Sequence, residues 1–441
     1  MKKLKVFSTL LTASILFAGC SAAPTNNSNS SDSKKEDKQT ISWDNKQNLK
    51  GQEISLLWVD SDGVRAKLLE EFTKETGIKV NEVAVDYNSL YNKITTSALS
   101  NSSNIDLAEM DTIWAGQFLK GNIAYDLTKV VPEDVKKTFT QSSLSSVMYD
   151  KKLVAMPFFS STKHFYWNTK LLADAGYSEP PKTWDEFREV SKKLTKNGSY
   201  ASAWSWKQSE GLTCDYVSLV YGFGGEFFDA NGKPAFNKGG GLKALEYMTD
   251  LVNKDKTVDP ASLQWTEDDV KNAFAAGKIA MMSNWEGMYP DLNNSSKSKV
   301  VNQTDVGIMP GEGSVVSSAV TGSEGIALMN GSKHKQAALE FLKWMSTKEF
   351  QLPLFKNGGN YPTVEAMYQD SDLKAADTTK TIDKIMEQFN YGHNRPNAPG
   401  YVEWADILSA ELHEALLGNK SPEDALNSAA EQIEKSIESS K

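Results

Sequence analysis

Several tryptophans in this 441-residue chain stand beside carboxylates or at the ends of apolar runs. Asn284-Trp285-Glu286-Gly287 directly follows a strongly apolar stretch. Asp111 closes the run Ile105 to Met110, with Trp114 three residues on. Trp204, Trp206 and Glu210 lie close together, and Asp60 and Asp62 follow the run Ile54 to Val59. Arg395, one of only three arginines, precedes Pro396. An indole ring covers a flat apolar face, while Asp, Glu and Arg offer paired acceptors or donors in fixed planar geometry. Together these types suit a ligand with C–H faces and many hydroxyls. Carboxylates beside aromatics also describe a glycoside-cleaving cleft, where two carboxyls stand about 5 to 9.5 Å apart.

Each of these residues has a second reading. Asp60, Asp62 and Asp111 are good helix N-caps. Trp114, Trp206 and Trp285 are large enough to be core residues. Glu210 either caps a following helix or reaches a cleft. Arg395 either faces a cleft or forms a surface ion pair. Lys163 and His164 are either donors to a ligand or, for the lysine, a solvated side chain.

Composition narrows the classes. Lys plus Arg is 48 and Asp plus Glu is 57, for a net charge of −9. An acidic chain lacks the clustered cations that phosphate neutralisation needs, so nucleic acid is excluded as a partner. Two cysteines, Cys20 and Cys214, rule out a disulfide framework and paired-thiolate zinc sites. Four scattered histidines show no i, i+4 pair. No metal or cofactor is implied. There is no G-x-S-x-G elbow, Walker loop or H-E-x-x-H. Cys214 reads as a buried, inert thiol.

The elements that must position these residues alternate between strand and helix from residue 52 onward, which predicts an α/β fold with a mostly parallel sheet. Strands are expected at Ile54–Val59, Lys79–Val85, Ile105–Met110 and Lys278–Ser283. Helices are expected at Lys67–Thr76, stopped by Gly77, and at Tyr87–Ser100, Trp184–Leu194, Gly239–Leu251 and Val270–Phe274. Thr183 and Glu186 have capping-box spacing. Tyr401 to Ile437 reads as two helices broken at residues 418–422. Ligands of open α/β sheets sit at the carboxyl ends of strands, which favours Asp60, Asp111 and Trp285 as site residues.

The amino terminus reads as an address. Met1 to Lys5 is basic, and Val6 to Phe17 is apolar but too short to span a membrane. Phe17-Ala18-Gly19-Cys20 resembles the lipobox of bacterial lipoproteins, in which the cysteine is lipidated and becomes the mature N-terminus. That resemblance implies a signal peptide over 1–19 and a lipid anchor at Cys20. Residues 20–50, rich in Ser, Asn, Lys and Asp, read as a flexible tether.

A set of segments resembles the solute-binding proteins of bacterial carbohydrate ABC importers, in their maltose- and trehalose-binding branch. They are IDLAEMDTIWAGQF from Ile105, MPFFSSTKHFYWNTKLL from Met156, PPKTWDEF from Pro180 and WKQSEGLTCDY from Trp206. FAAGKIAMMSNWEG from Phe274, VGIMPGEG from Val306, EGIALMNGSKHKQAALEFLKWM from Glu324 and RPNAPGYVEWADIL from Arg395 follow in order. The resemblance implies two α/β lobes with a hinge and a ligand cleft between them. One lobe would comprise 51–158 plus 325–372 and the other 163–321 plus 376–441. It also implies a monomer that binds a di- or oligosaccharide without catalysis and delivers it to membrane permease subunits. Such a chain would sit on the outer face of the cell membrane. Asp111, Trp285 and Arg395 match family cleft positions. The branch has an Asp where Ser161 stands and an aromatic near Glu324, so the sugar itself is open. The ligand set expected is Asp60, Asp62, Asp111, Trp114, Lys163, Trp206, Glu210, Trp285, Glu324 and Arg395. A non-sugar solute binder and a glycoside-acting enzyme are the alternatives.

Overall fold

In the computed structural model the described residues are 41–59, 63–100, 104–196, 198–396 and 400–439. The expected signal peptide, Cys20, Asp60 and Asp62 lie outside them. Eight strands carry the architecture: β1 (Glu53–Val59), β2 (Lys79–Val85), β3 (Leu107–Asp111), β4 (Met156–Phe159), β5 (Lys163–Asn168), β6 (Met281–Trp285), β7 (Thr304–Gly307) and β8 (Glu324–Leu328). They form a five-stranded sheet of order β2-β1-β3-β8-β4 and a three-stranded sheet of order β6-β5-β7.

The first sheet is parallel across β2, β1 and β3, with Leu56 beside Leu107. β8 runs antiparallel to both β3 and β4. The second sheet is antiparallel throughout, with Lys163 opposite Trp285. The mostly parallel expectation therefore holds for only three strands. It rested on strand–helix alternation, which does not register that the chain passes from one sheet to the other between Phe159 and Lys163, and returns before Glu324. Strands that enter a sheet by such passages are free to pair antiparallel.

Local chemistry explains most boundaries. Helix Val64–Thr76 buries Leu68, Leu69 and Phe72 and ends on Gly77 at φ 73°. Thr183 caps Trp184–Leu194 by accepting from the Glu186 N–H. The reciprocal half of the expected box is displaced, because Glu186 accepts from Lys182 N instead. The carboxy-terminal pair forms as expected, Tyr401–Leu416 and Pro422–Ser439.

Two expectations need correction. The strand predicted at Lys278–Ser283 lies at Met281–Trp285, which moves Trp285 onto the strand's last position. The tether expected through residue 50 is shorter, since Ile41 and Leu49 are buried in the core. Gln336 brackets Ser42 from both its N–H and C=O, and Lys343 Nζ donates to Trp43 O at 2.8 Å. Two apolar residues in that polar stretch are enough to fold it onto helix Lys335–Trp344. No described helix is long and apolar enough to cross a membrane.

Candidate functional site

A cavity of about 640 Å³ lies between the two sheets, where the parallel strands end. Tyr87, Asp111, Phe159 and Glu324 line it from the five-stranded side. Glu210, Cys214, Glu267, Trp285 and Glu286 line it from the other, and Arg395 completes the wall.

Asp111 ends β3, where it both caps the next turn and lines the cavity. Its Oδ1 lies 3.5 Å from Ile113 N at the next helical turn and 2.6 Å from Arg395 Nη2, while Tyr87 Oη donates to Oδ2 at 2.5 Å. Glu210 opens helix Glu210–Gly222 and points into the cavity. Its Oε1 accepts from Arg395 Nη1 at 2.9 Å and from Tyr401 Oη at 2.5 Å. Arg395 is 4% exposed, so it is a buried bridge and not a surface ion pair. Burial raises the Glu210 pKa, against which the guanidinium pulls it down.

Trp285 lies partly exposed at the end of β6, at the cavity wall. Its ring presses on Gly322, where a Cβ would come within 2.7 Å of it. Glycine at 322 is thus required by the indole. Lys163 lies behind the ring, with Nζ 5.3 Å from its centroid. Lys163 is fully buried and does not line the cavity. Its Nζ donates to Asp215 Oδ1 at 2.7 Å and stands 3.6 Å from Glu267. These anions hold the ammonium charged against desolvation. Lys163 therefore packs behind Trp285, outside the cavity lining where it was expected.

Two other expected residues are also displaced from the cavity. Trp206 has no exposed surface and stacks on Trp204 at 5.6 Å, within a cluster that includes Trp184 and Phe187. Trp114 is 4% exposed and stacks behind Tyr87 at 5.8 Å. His164 is enclosed between the carbonyls of Thr162 and Ile385, and burial lowers its pKa to about 4. Cys214 is buried as expected, and burial pushes its thiol pKa up.

Two acids dominate the deep end. Glu324 sits beside Glu109 and Asp111, and burial followed by these carboxylates raises its pKa well above the usual range. Glu109 is itself held by Arg65 at 2.7 Å. Glu286 was not expected from sequence. Its Oε2 accepts from Thr162 N at 2.9 Å and Ser161 Oγ at 3.1 Å, on the strand passage between the sheets, and burial raises its pKa to about 7. Tyr87 was also missed, because a tyrosine opening a helix carries no signal of facing a cleft. For Glu286 the adjacency to Trp285 was the available signal.

A cleft between two sheets, walled by a partly exposed indole and ringed with carboxyls, is built to enclose a small solute. The sequence profile of the bacterial extracellular solute-binding proteins matches residues 59–352. The chain belongs to that family. As a bacterial extracellular solute-binding protein it resembles the diacetylchitobiose binding protein DasA of Streptomyces coelicolor, at 27% identity over 87% of this chain and 88% of that one. Its structure is similar to maltose-bound MalE3 of T. maritima, with a TM-score of 0.78, 26% identity, and 87% and 99% of the two chains covered. The ribitol complex of an ABC transporter solute-binding protein from Agrobacterium radiobacter gives a TM-score of 0.78 and 26% identity, covering 88% of this chain and 100% of that one. The fold is the two-lobed solute-binding architecture of these proteins.

Proposed function

We propose that this solute-binding protein captures a carbohydrate outside the cell for an ABC importer and performs no chemistry on it. The observation that carries the reading is the partly exposed Trp285 ring at a strand end, sharing one cavity with Asp111, Glu210, Glu286 and Glu324. A sugar ring lays its C–H face on the indole and its hydroxyls on the carboxyls. The relatives' maltose, ribitol and diacetylchitobiose support a hydroxyl-rich ligand.

The lobes are 51–158 plus 325–372 and 163–321 plus 376–441, with residues 41–50 added to the first. They close by bending at the three passages near 158–163, 321–324 and 370–375. A ligand that contacts both lobes shifts the population toward the closed form. The closed monomer then docks on the permease subunits. A signal peptide over 1–19 and a lipidated Cys20 hold the protein at the membrane, where the tether raises its concentration near the permease.

A thermal-shift screen of mono-, di- and oligosaccharides, polyols and polyamines tests this reading. Saturation at 100 times the dissociation constant adds about 2.7 kcal/mol, so a sugar ligand raises the melting temperature visibly. A rise with polyamines alone removes the carbohydrate assignment. New reducing ends after incubation with oligosaccharides would restore the enzyme alternative.

A further inference from the structure

Carboxyl groups outnumber cationic groups around the cavity. Among the described residues six carboxyls line it: Asp111, Glu210, Glu267, Asp268, Glu286 and Glu324. Among the same residues only two in the lining, Lys207 and Arg395, are cationic. Arg395 is shared between Asp111 and Glu210. Lys163, behind the wall, is shared between Asp215 and Glu267. Asp268 turns outward to Lys271 at 2.8 Å.

Among the described residues that accounting leaves Glu286 with no ion-pair partner, and Glu324 with only Arg65 nearby, which is already paired to Glu109. Glu286 is 3% exposed and is held only by the neutral donors of Ser161 and Thr162. Glu324 is partly buried; its Oε2 is enclosed without a hydrogen-bond partner, and its charged neighbours are Glu109, Asp111 and, more weakly, Arg65. Buried carboxyls are ordinarily matched by a partner charge or by several donors. An occupant bearing a positive charge would supply it here.

We propose that the sugar this cleft selects carries a basic nitrogen, as a free amino sugar does, with its ammonium placed among Glu286, Glu324 and Asp111 below the Trp285 ring. The inference rests on the carbohydrate reading above and narrows its substrate class. An ammonium donates three hydrogen bonds with charge assistance where a hydroxyl donates one without. N-acetylation removes the charge and adds bulk.

The test is calorimetric titration of the full chain with matched sets of sugars at pH 6.5. The sets are glucosamine, N-acetylglucosamine and glucose; galactosamine, N-acetylgalactosamine and galactose; and chitobiose, diacetylchitobiose and cellobiose. In any set that binds, the free amine is expected to bind at least about tenfold tighter than its hydroxyl and N-acetyl counterparts. Glu286→Gln keeps an acceptor for Thr162 and is expected to weaken the free amine far more than the neutral members, erasing most of that preference. Equal or tighter binding of the neutral members overturns the inference and leaves the sugar reading standing. Failure of every member of every set, with binding of a non-sugar solute, overturns both.

Discussion

Arg395 donates to Asp111, 284 positions earlier in the chain, at 2.6 Å, and to Glu210 at 2.9 Å. One guanidinium therefore ties the end of β3 in the five-stranded sheet to the start of the helix whose Asp215 holds Lys163 of the three-stranded sheet. Arginine suits this position because its planar fork serves two carboxylates at once.

Arg395→Ala leaves the buried Asp111 and the partly exposed Glu210 facing each other without a cation. The expected loss is about 3–5 kcal/mol in urea unfolding, the usual cost of stranding a buried charge. Arg395→Lys keeps the charge but not the fork, and should lose less. Equal stability of Arg395→Ala and wild type would mean the bridge is absent in solution.

The Lys163–Asp215 pair has no exposed side-chain surface. Lys163→Met strands Asp215 and should cost about 3–5 kcal/mol. The double variant Lys163→Met/Asp215→Leu removes both charges and should recover most of that loss. A double-mutant cycle by chemical denaturation measures the coupling; simple additivity would contradict the pairing.

Trp206 and Trp285 make contrasting tests. Trp206→Ala empties a fully buried site and should destabilise by about 3–5 kcal/mol. Ligand affinity of the folded fraction should stay within about threefold of wild type, since the ring lies outside the cavity wall. Binding and unfolding titrations on the same preparation separate the two effects.

The Glu286 carboxyl, with an ordinary value of 4.5, is raised to about 7 by burial. The folded state therefore holds a proton that the unfolded chain releases between these values. Stability from this group is full below pH 4.5, falls as pH rises, and stays lost above about 7. The loss is on the order of 3 kcal/mol, which water penetration would reduce. Glu286→Gln should flatten the stability profile between pH 4.5 and 7. An unchanged slope would show that another group sets it.

Much of this was readable in the sequence where local chemistry decides. Gly77 stopping a helix, Thr183 opening one and the break at 418–422 all depend on near neighbours. Asp111, Glu210, Trp285, Glu324 and Arg395 were brought to one cavity as expected. The failures have a common cause. Trp206 and Trp285 are the same residue type beside the same carboxylate chemistry, yet only the second faces the cleft. Which way a side chain points is set by its partner strands, and sequence spacing does not carry that. Lys163 was expected at the ligand for the same reason, and its partner Asp215 lies 52 residues away. The antiparallel second sheet depends on where the chain changes sheets, which no local pattern records.

The most direct test of the account is calorimetric titration of wild type and Trp285→Ala with whichever sugar raises the melting temperature. The ring is partly exposed at the cavity wall, and its loss should leave the unliganded fold in place. The account predicts at least about a tenfold loss of affinity, the scale of one stacking face in a binding site. Unchanged affinity in a folded Trp285→Ala protein would contradict it and place the ligand elsewhere.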